Sequence, residues 1–309
     1  MQGVVIKSTG SWYIVKTDSG QLLDCRIRGK FRMQDIKSTN PIVVGDRVSL
    51  IQEEDSYVID ELFDRTNFIV RKSVNLSKQT HILASNINQA ILMVTLKSPV
   101  TTTGFIDRFL VSAKAYGVEV VLLFNKLDLL DQKSKDKLDA LFSLYEGIGY
   151  KCLSMSVQSD DLTPVKTLMK DKVNVICGHS GVGKSTLLNV LQPSLDIHTQ
   201  DVSEQHQQGQ HTTTFSEMHD LDFGASVIDT PGVRGFGLVE MDTCELGDYF
   251  PEFFKLKSHC KFNNCIHLNE PKCAVKEALE RNEVSESRYK NYLSMLEQDD
   301  ESFRVNKYE

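Results

Sequence analysis

Two short motifs occur along this chain in an order that restricts its topology. Residues 125–128 read NKLD, and residues 178–185 read GHSGVGKS. The second motif fits G-x-x-x-x-G-K-[ST], in which a glycine-rich turn aims backbone N–H groups at phosphates, a lysine reaches the β and γ phosphates, and a hydroxyl binds Mg²⁺. It therefore predicts a nucleoside triphosphate site. The residues of this motif are Gly178, His179, Ser180, Gly181, Val182, Gly183, Lys184 and Ser185.

The NKLD motif predicts which base is bound. It fits N-K-x-D, whose aspartate, here Asp128, can accept two hydrogen bonds from N1–H and the exocyclic amine of guanine. In an ordinary small GTPase the phosphate motif comes first. Reversing the order keeps the contacts of the fold and moves only the chain ends, which compact domains tolerate when the termini lie close together. The two motifs therefore predict a circularly permuted GTPase.

Three further strings fit the same site. DTPG at 229–232 follows a predicted strand, where Asp229 can organise Mg²⁺ through water and the Gly232 N–H can meet the γ-phosphate. GQHTTT at 209–214 lies where a GTPase needs a threonine for Mg²⁺. Ser154-Met155-Ser156 follows another predicted strand and is placed to close over guanine. Taken singly, the motifs also permit a glycine-rich strand-to-helix turn and a helix-capping aspartate.

The DTPG motif is not followed by the residue that usually positions the attacking water. Ras-like enzymes place a glutamine just after the DxxG glycine, and here that position is Val233, whose side chain cannot orient water. We therefore expect slow intrinsic hydrolysis. His211 can accept or donate a proton near neutral pH and is the candidate, although an ordinary exposed loop histidine fits the same position. Arg234 could stabilise transition-state charge, but nothing in the sequence places it there.

The predicted fold class is multidomain α/β, with three domains. Residues 1–66 carry short strands between turn signals, which indicates an N-terminal OB-fold β-barrel. Residues 67–238 alternate apolar strands with helices, which indicates a doubly wound sheet with both motifs at carboxyl ends of strands. Residues 239–309 are expected to form a mostly helical, zinc-binding domain. The central strands are predicted at 89–96, 118–124, 150–155, 173–177 and 225–228, and the helices near 105–116, 133–146 and 184–191.

One strand of the predicted barrel carries a basic face. Residues 25–33 read CRIRGKFRM, and their alternation places basic side chains on one face and apolar side chains on the other. An OB barrel with such a face commonly binds oligonucleotides, but a solvated strand face explains the pattern equally well. The candidate RNA-binding residues are Arg26, Arg28, Lys30 and Arg32.

The last segment carries a cluster of cysteine and histidine with the spacing C-x4-C-x-H-x5-C. Three thiolates and one imidazole suffice for a tetrahedral zinc site with no position open for water. We expect this zinc to replace a hydrophobic core, because few apolar residues lie within 255–272. Buried unliganded cysteines are the alternative, and His259 is expected to stay outside the site. The predicted ligands are Cys260, Cys265, His267 and Cys273.

Composition limits the class of protein. The chain has 309 residues, of which 40% are hydrophobic and 25% charged, so it can form two or three globular domains. No apolar run approaches the roughly 18 to 20 residues that span a bilayer, and the N-terminus has no signal pattern, so we expect a cytoplasmic protein with no membrane partner. The net charge of −7 argues against indiscriminate nucleic-acid binding. The cysteines predicted to be small apolar fillers are Cys25, Cys152, Cys177 and Cys244.

Together, these features resemble the bacterial ribosome small-subunit-dependent GTPase A family. The barrel, the order NKLD, GHSGVGKS, QHTTT and DTPG, and the cysteine-rich tail cover essentially all of the chain. The resemblance implies a GTPase that acts in late maturation of the 30S subunit, binds GTP or GDP and 16S rRNA, and is stimulated by the subunit. It also implies one structural zinc ion and Mg²⁺ with GTP. We expect a monomer.

Residue roles follow from the resemblance. It assigns guanine recognition to the NKLD residues and adds Thr186 to the phosphate-binding set. It places magnesium ligands at Ser185 and Thr213 and equates His211 with the switch histidine of the family. The predicted guanine-binding residues are Asn125, Lys126, Leu127 and Asp128. The predicted catalytic residues are Lys184, His211 and Thr213.

Two alternatives to a GTPase switch stay open at this point. A nucleotide-gated RNA-binding scaffold or checkpoint would hydrolyse GTP only incidentally. A P-loop kinase is disfavoured, because NKLD selects guanine and the sequence shows no recognisable base to activate an acceptor.

Overall fold

The N-terminal strands close into a small barrel. The computed structural model describes residues 1–9, 12–27, 41–53, 56–72, 80–196, 216–229 and 242–297. The barrel strands are β1 (Gln2–Ser8), β2 (Tyr13–Thr17), β3 (Leu22–Ile27), β4 (Arg47–Glu53) and β5 (Ser56–Leu62). β1 pairs with β2 and β4, while β5 joins β3 to β4, so the ring is complete. Period-two alternation buries Val5, Val15 and Val48 inside, which confirms the OB-type barrel.

A hairpin that the sequence pattern did not reveal follows the barrel. It consists of β6 (Phe68–Lys72) and β7 (Thr80–Ser85). The fully buried Asp46 carboxylate fixes the barrel to it, since Arg65 donates from Nε and Nη2 at 2.7 Å each and Ser85 Oγ donates at 2.6 Å. These hydrogen bonds stabilise the negative charge of Asp46, which would otherwise be costly to bury.

The middle of the chain forms a mostly parallel sheet. Its strands are β8 (Gln89–Val94), β9 (Glu119–Phe124), β10 (Lys151–Ser154), β11 (Val173–Cys177), β12 (Glu217–Leu221) and β13 (Ala225–Asp229). The order β10-β9-β8-β11-β13 is parallel throughout, and β12 adds an antiparallel strand. β12 also pairs with β1, where Lys7 forms an ion pair of 2.8 Å with Glu217. The barrel and the predicted sheet are therefore continuous.

Helices cover the sheet and build the C-terminal segment. They are α1 (Thr103–Ala115), α2 (Gln132–Gly147), α3 (Thr163–Met169), α4 (Lys184–Leu191), α5 (Pro251–Lys257), α6 (Ala274–Glu280) and α7 (Glu286–Leu296). The predicted α1, α2 and α4 are confirmed, whereas the seven-residue α3 and the polar strand β12 are too short or too charged to show a clear period. Among the helices in the described ranges, none has the length and apolar character needed to cross a membrane.

The C-terminal segment has a hydrophobic core of its own. Phe253 lies 4.9 Å from Phe250 and 5.1 Å from Tyr292 between ring centroids, and Val111 of α1 completes the cluster. The expectation that metal replaces a core is therefore wrong, because the apolar residues come from the flanking helices and from α1. Cys244 is exposed, so the prediction that it fills a core is also wrong. The other three predicted fillers, Cys25, Cys152 and Cys177, are buried.

Candidate nucleotide site and metal centre

The nucleotide motifs meet at one end of the parallel sheet. NKLD follows β9, the phosphate motif follows β11, and β13 ends at Asp229. These strands run in the same direction, with β8 between β9 and β11. Carboxyl ends of parallel strands form the ligand-binding edge of open α/β sheets. The fold thus brings together loops that are about 100 residues apart in the chain.

Asn125 joins three of these loops. Its buried side chain donates from Nδ2 to the Val182 carbonyl of the phosphate loop at 2.8 Å and accepts from the Val157 N–H at 3.0 Å. A Cβ on Gly183 would lie 2.5 Å from Asn125 Nδ2, and Gly183 has a φ of 106°. Only glycine allows this approach. The amide therefore sets the position of the NKLD loop relative to the phosphate loop.

Asp128 is exposed and follows Asn125 by three residues in the NKLD loop. Its backbone N–H donates to Ser156 Oγ at 3.0 Å, and the Ser156 N–H donates to Asp160 Oδ2 at 2.7 Å. Residues 154–156 are predicted to close over guanine. Of these, Ser156 makes the contact with the NKLD loop, while Met155 is buried. Asp160 was missed by sequence reasoning, because a single acidic residue in a polar turn has no distinguishing pattern.

Lys126 and Leu127 complete the NKLD turn. Lys126 has a φ of 63° and donates from Nζ to the Ser98 carbonyl at 2.6 Å. Leu127 begins a short 3₁₀ helix and packs against the main core of the sheet. The loop is thus held on both sides while the Asp128 side chain stays exposed.

The phosphate loop is shaped by its lysine. Lys184 Nζ donates to the carbonyls of Gly178 and His179, at 2.8 Å each. A Cβ on Gly178 would lie 2.7 Å from the Met93 carbonyl, so the loop packs directly on the end of β8. Ser185 and Thr186 follow in the first turn of α4 and are half-buried. The backbone N–H groups of that turn carry partial positive charge, which is suited to binding phosphate.

His179 ties the phosphate loop to helix α1. Its ring lies 3.9 Å from the Phe105 ring between centroids, at 35°. Burial and the neighbouring Lys184 ammonium lower the pKa of His179, which favours the neutral imidazole. Ser180 is exposed at the tip of the loop, and Val182 is buried beneath it.

Asp229 lies half-buried at the end of β13. Burial raises the pKa of its carboxyl group, while the charges of His219 and Lys184 oppose the shift. A cation next to this carboxylate would favour its ionised form.

Several predicted site residues lie outside the described residues. Arg26 is described and is exposed, with its guanidinium 4.0 Å from the centre of the Trp12 ring. The alternation of β3 is seen as far as Ile27, with Cys25 buried and Arg26 exposed. The predicted residues outside the described ranges are Arg28, Lys30, Arg32, His211, Thr213 and Gly232.

The four predicted metal ligands lie together in the C-terminal segment. Their ligand atoms are all within 4.8 Å of one another. His267 Nδ1 lies 3.3 Å from Cys273 Sγ and 3.8 Å from Cys260 Sγ. A tetrahedral zinc with Zn–S bonds of about 2.3 Å separates its ligand atoms by about 3.8 Å. Together with buried Cys265, this donor set fits a structural zinc site.

Groups around the metal ligands hold them in place. Tyr289 Oη donates to the His267 carbonyl at 2.7 Å, and the Glu270 carboxylate accepts from the N–H groups of Ile266 and Leu268, each at 2.7 Å. Burial lowers the pKa of His267, which favours the neutral form that binds metal. His259 is exposed and outside the cluster, as predicted.

Comparison with known families agrees with this geometry. The family model described as RsgA GTPase matches residues 62–239, and the RsgA N-terminal domain matches residues 2–58. The chain belongs to the RsgA GTPase family. A small ribosomal subunit biogenesis GTPase RsgA from Flavobacterium psychrophilum is 55% identical, with 100% of this chain and 96% of the relative covered. The same-named protein of Bacteroides fragilis is 52% identical, covering 97% and 98%.

Two solved structures share the fold. YjeQ from Thermotoga maritima matches with a TM-score of 0.79 and 35% identity, over 96% of this chain and 97% of that one. YloQ, described as a circularly permuted GTPase, matches with a TM-score of 0.75 and 31% identity, over 96% and 94%. The predicted permutation, fold class and GTP hydrolase activity are therefore confirmed.

Proposed function

We propose that this chain hydrolyses GTP during late maturation of the small ribosomal subunit and binds the 30S subunit through 16S rRNA. The observation that carries the proposal is the Asn125 amide, which joins the guanine loop, the phosphate loop and the closing loop in one site. Relatives that share about half of its residues and are named for small ribosomal subunit biogenesis support the subunit as partner.

Each loop has a proposed task. Asp128 accepts hydrogen bonds from guanine, with Asn125, Lys126 and Leu127 shaping the turn. Lys184 Nζ leaves the carbonyls of its own loop and binds phosphate oxygens, and the N–H groups of residues 178–186 complete the cradle. Mg²⁺, when bound with GTP, would neutralise charge on the β- and γ-phosphates, with Ser185, Thr213 and Asp229 as the residues that hold it directly or through water.

The attacking water requires a separate proposal. Val233 follows Gly232, whose N–H would meet the γ-phosphate, and a valine side chain cannot orient water. We assign that task to His211, whose imidazole can accept a proton near neutral pH. The hydrolysis rate would then depend on a partner that brings His211 to the γ-phosphate.

RNA contact is proposed for the basic face of the barrel. Arg26 is exposed and stacks on Trp12, which is 46% exposed, so a cation and an aromatic ring share this face. Such pairs bind phosphate and stack on unpaired bases. Arg28, Lys30 and Arg32 would extend the same face. The cytoplasmic location, the monomeric state and the domain limits at 66 and 238 stay predictions.

Zinc occupancy gives the first testable prediction. We propose one structural zinc per chain, held by Cys260, Cys265, His267 and Cys273. Elemental analysis of the purified chain should find about one equivalent, and Cys265→Ser should lower it several-fold. Because α5, α6 and α7 have their own core, proteolysis of the variant should begin within 258–273 and spare the helices.

Cys244→Ser is the matched control for the zinc prediction, because Cys244 is exposed and lies in the same segment. Its zinc content and protease pattern should match the parent chain. Parent protein purified without chelator that contains no zinc, yet keeps 258–273 protected, would contradict the assignment.

The partner gives the second prediction. Purified 30S subunits should raise GTP turnover by about tenfold or more, because His211 would position the water only when a partner brings it to the γ-phosphate. The measurement is phosphate release at fixed enzyme, with 30S subunits titrated in. Purified 50S subunits serve as the control and should give no such increase. Equal rates with and without 30S subunits would favour the scaffold alternative.

A further inference from the structure

Helix α1 is buried on every side. All residues from Gly104 to Ala113 are buried. Ile106, Phe109 and Leu110 belong to the core of the central sheet, whereas Val111 belongs to the core of the C-terminal segment. A close-packed helix shared by two cores cannot shift without disturbing both.

One side of α1 carries a buried ion cluster that reaches α7. Arg288 is 1% exposed and donates from Nη1 to Asp107 Oδ1 at 2.6 Å. It also donates to both carboxylate oxygens of Glu252 on α5, at 2.7 and 3.0 Å. Asp107 accepts further bonds from Tyr145 Oη at 2.8 Å and Asn291 Nδ2 at 2.5 Å. The cluster joins four helices.

The geometry of this cluster is restrictive. A planar guanidinium bound by two carboxylates tolerates little rotation, and the Arg288 Cζ atom also lies 4.5 Å from the centre of the Phe250 ring. Removing one partner of a buried ion pair leaves an uncompensated charge in the interior. The position of α1 relative to the C-terminal segment is therefore tightly defined.

The other side of α1 contacts the nucleotide site. Phe105, two residues before Asp107, is 7% exposed and packs against His179 of the phosphate loop. The loop that enters α1 accepts a bond from Lys126 of the NKLD motif at the Ser98 carbonyl. The helix thus touches the phosphate loop at its beginning and the C-terminal segment along its length, while the loop before it touches the NKLD motif.

We propose that Arg288 is a positioning residue for the phosphate loop, acting through Asp107, helix α1 and Phe105 on His179. The ion cluster fixes the position of α1 so that the Phe105 ring packs against the His179 ring. The C-terminal segment thereby contributes to nucleotide affinity without touching the nucleotide. The proposal requires guanine nucleotide at the phosphate loop, and it does not depend on the ribosomal role.

A double-mutant cycle tests the proposal. Arg288→Lys keeps the positive charge but loses the paired bonds to Glu252, and it should weaken GDP and GTP binding by about fivefold or more, with kcat little changed. In a Phe105→Leu background the same change should alter binding by less than about twofold, because the link to His179 is already broken. The measurement is a titration of fluorescent GDP and GTP well below the melting temperature.

Arg281→Lys is the matched control for the cycle. Arg281 lies in the same segment with a paired contact to Glu283, but it is exposed, and its replacement should leave nucleotide binding unchanged. A variant Arg288→Lys that melts earlier yet binds nucleotide normally would show a purely structural role and overturn the proposal. Equal losses in both backgrounds would also overturn it, because Arg288 would then not act through Phe105.

A second measurement does not need the Arg288 variant and so applies even if that variant does not fold. Coupling between two sites is reciprocal, so GDP should slow amide hydrogen exchange in α7 as well as in the phosphate loop. The slowing in α7 should be lost in Phe105→Leu while the phosphate loop still responds. Exchange in α7 that is indifferent to GDP in the parent chain would refute the link.

Discussion

Lys184→Ala should lower GTP turnover by about 10²- to 10³-fold while the fold stays intact. The Lys184 ammonium donates to backbone carbonyls of its own loop, at Gly178 and His179. The hydrogen bond from Asn125 Nδ2 to the Val182 carbonyl still holds the loop in this variant, so the fold should survive. The charge is needed when phosphate oxygens enter and negative charge develops on the γ-phosphate.

Steady-state phosphate release and melting temperature should be measured together for this variant. Lys170→Ala is the matched control, since Lys170 is an exposed lysine at the end of α3, and its loss should change neither quantity. If Lys184→Ala hydrolyses GTP at the parent rate, the phosphate site is not at this loop. If it fails to fold, Lys184→Gln tests the charge with a longer polar side chain.

The nucleotide loops could be predicted from sequence because their chemistry is local. The strands that carry them, such as β8 and β9, are buried on both faces and read as continuous apolar runs. Gly178 and Gly183 of the phosphate loop are required by close contacts with Met93 and Asn125, respectively. Periodicity and motif spacing therefore give both the element and its place at the edge of the sheet.

The C-terminal core could not be predicted, because its parts are far apart in sequence. Val111 packs with Phe250 and Tyr292, and Arg288 meets Asp107 across 181 residues. Nothing in the local pattern of α1 distinguishes a face that meets the sheet from one that meets another segment. The spacing of the cysteines showed the metal ligands, but it did not show that the segment also has an apolar core.

The link between barrel and sheet was missed for a related reason. β12 reads EMHDL, in which the two apolar residues are three positions apart, so no period-two pattern shows a strand. Its partner β1 lies at the other end of the chain, and the pairing includes the ion pair between Lys7 and Glu217. Such long-range pairing depends on the whole topology, which no single window of sequence contains.

Asp128→Asn should reverse the base preference of the site. The carboxylate has two acceptor oxygens for guanine N1–H and the exocyclic amine, whereas an amide offers one acceptor and one donor. The donor would face the amine of guanine, so we expect GTP affinity to fall by about 2 to 4 kcal/mol, or about 30- to 700-fold. Xanthine has a carbonyl in place of that amine, so affinity for XTP should rise.

The structure indicates that this substitution changes recognition without moving the loop. Asp128 is fixed through its backbone N–H to Ser156 Oγ, and the loop is joined to its neighbours by Asn125, so neither contact uses the Asp128 carboxylate. Asp139→Asn, an exposed aspartate on α2, is the matched control and should keep the parent preference. Competition of GTP and XTP against fluorescent GDP measures the preference. If the GTP-to-XTP preference of Asp128→Asn is unchanged, the base binds elsewhere. A side chain that contacts guanine cannot lose one acceptor oxygen without a change in affinity.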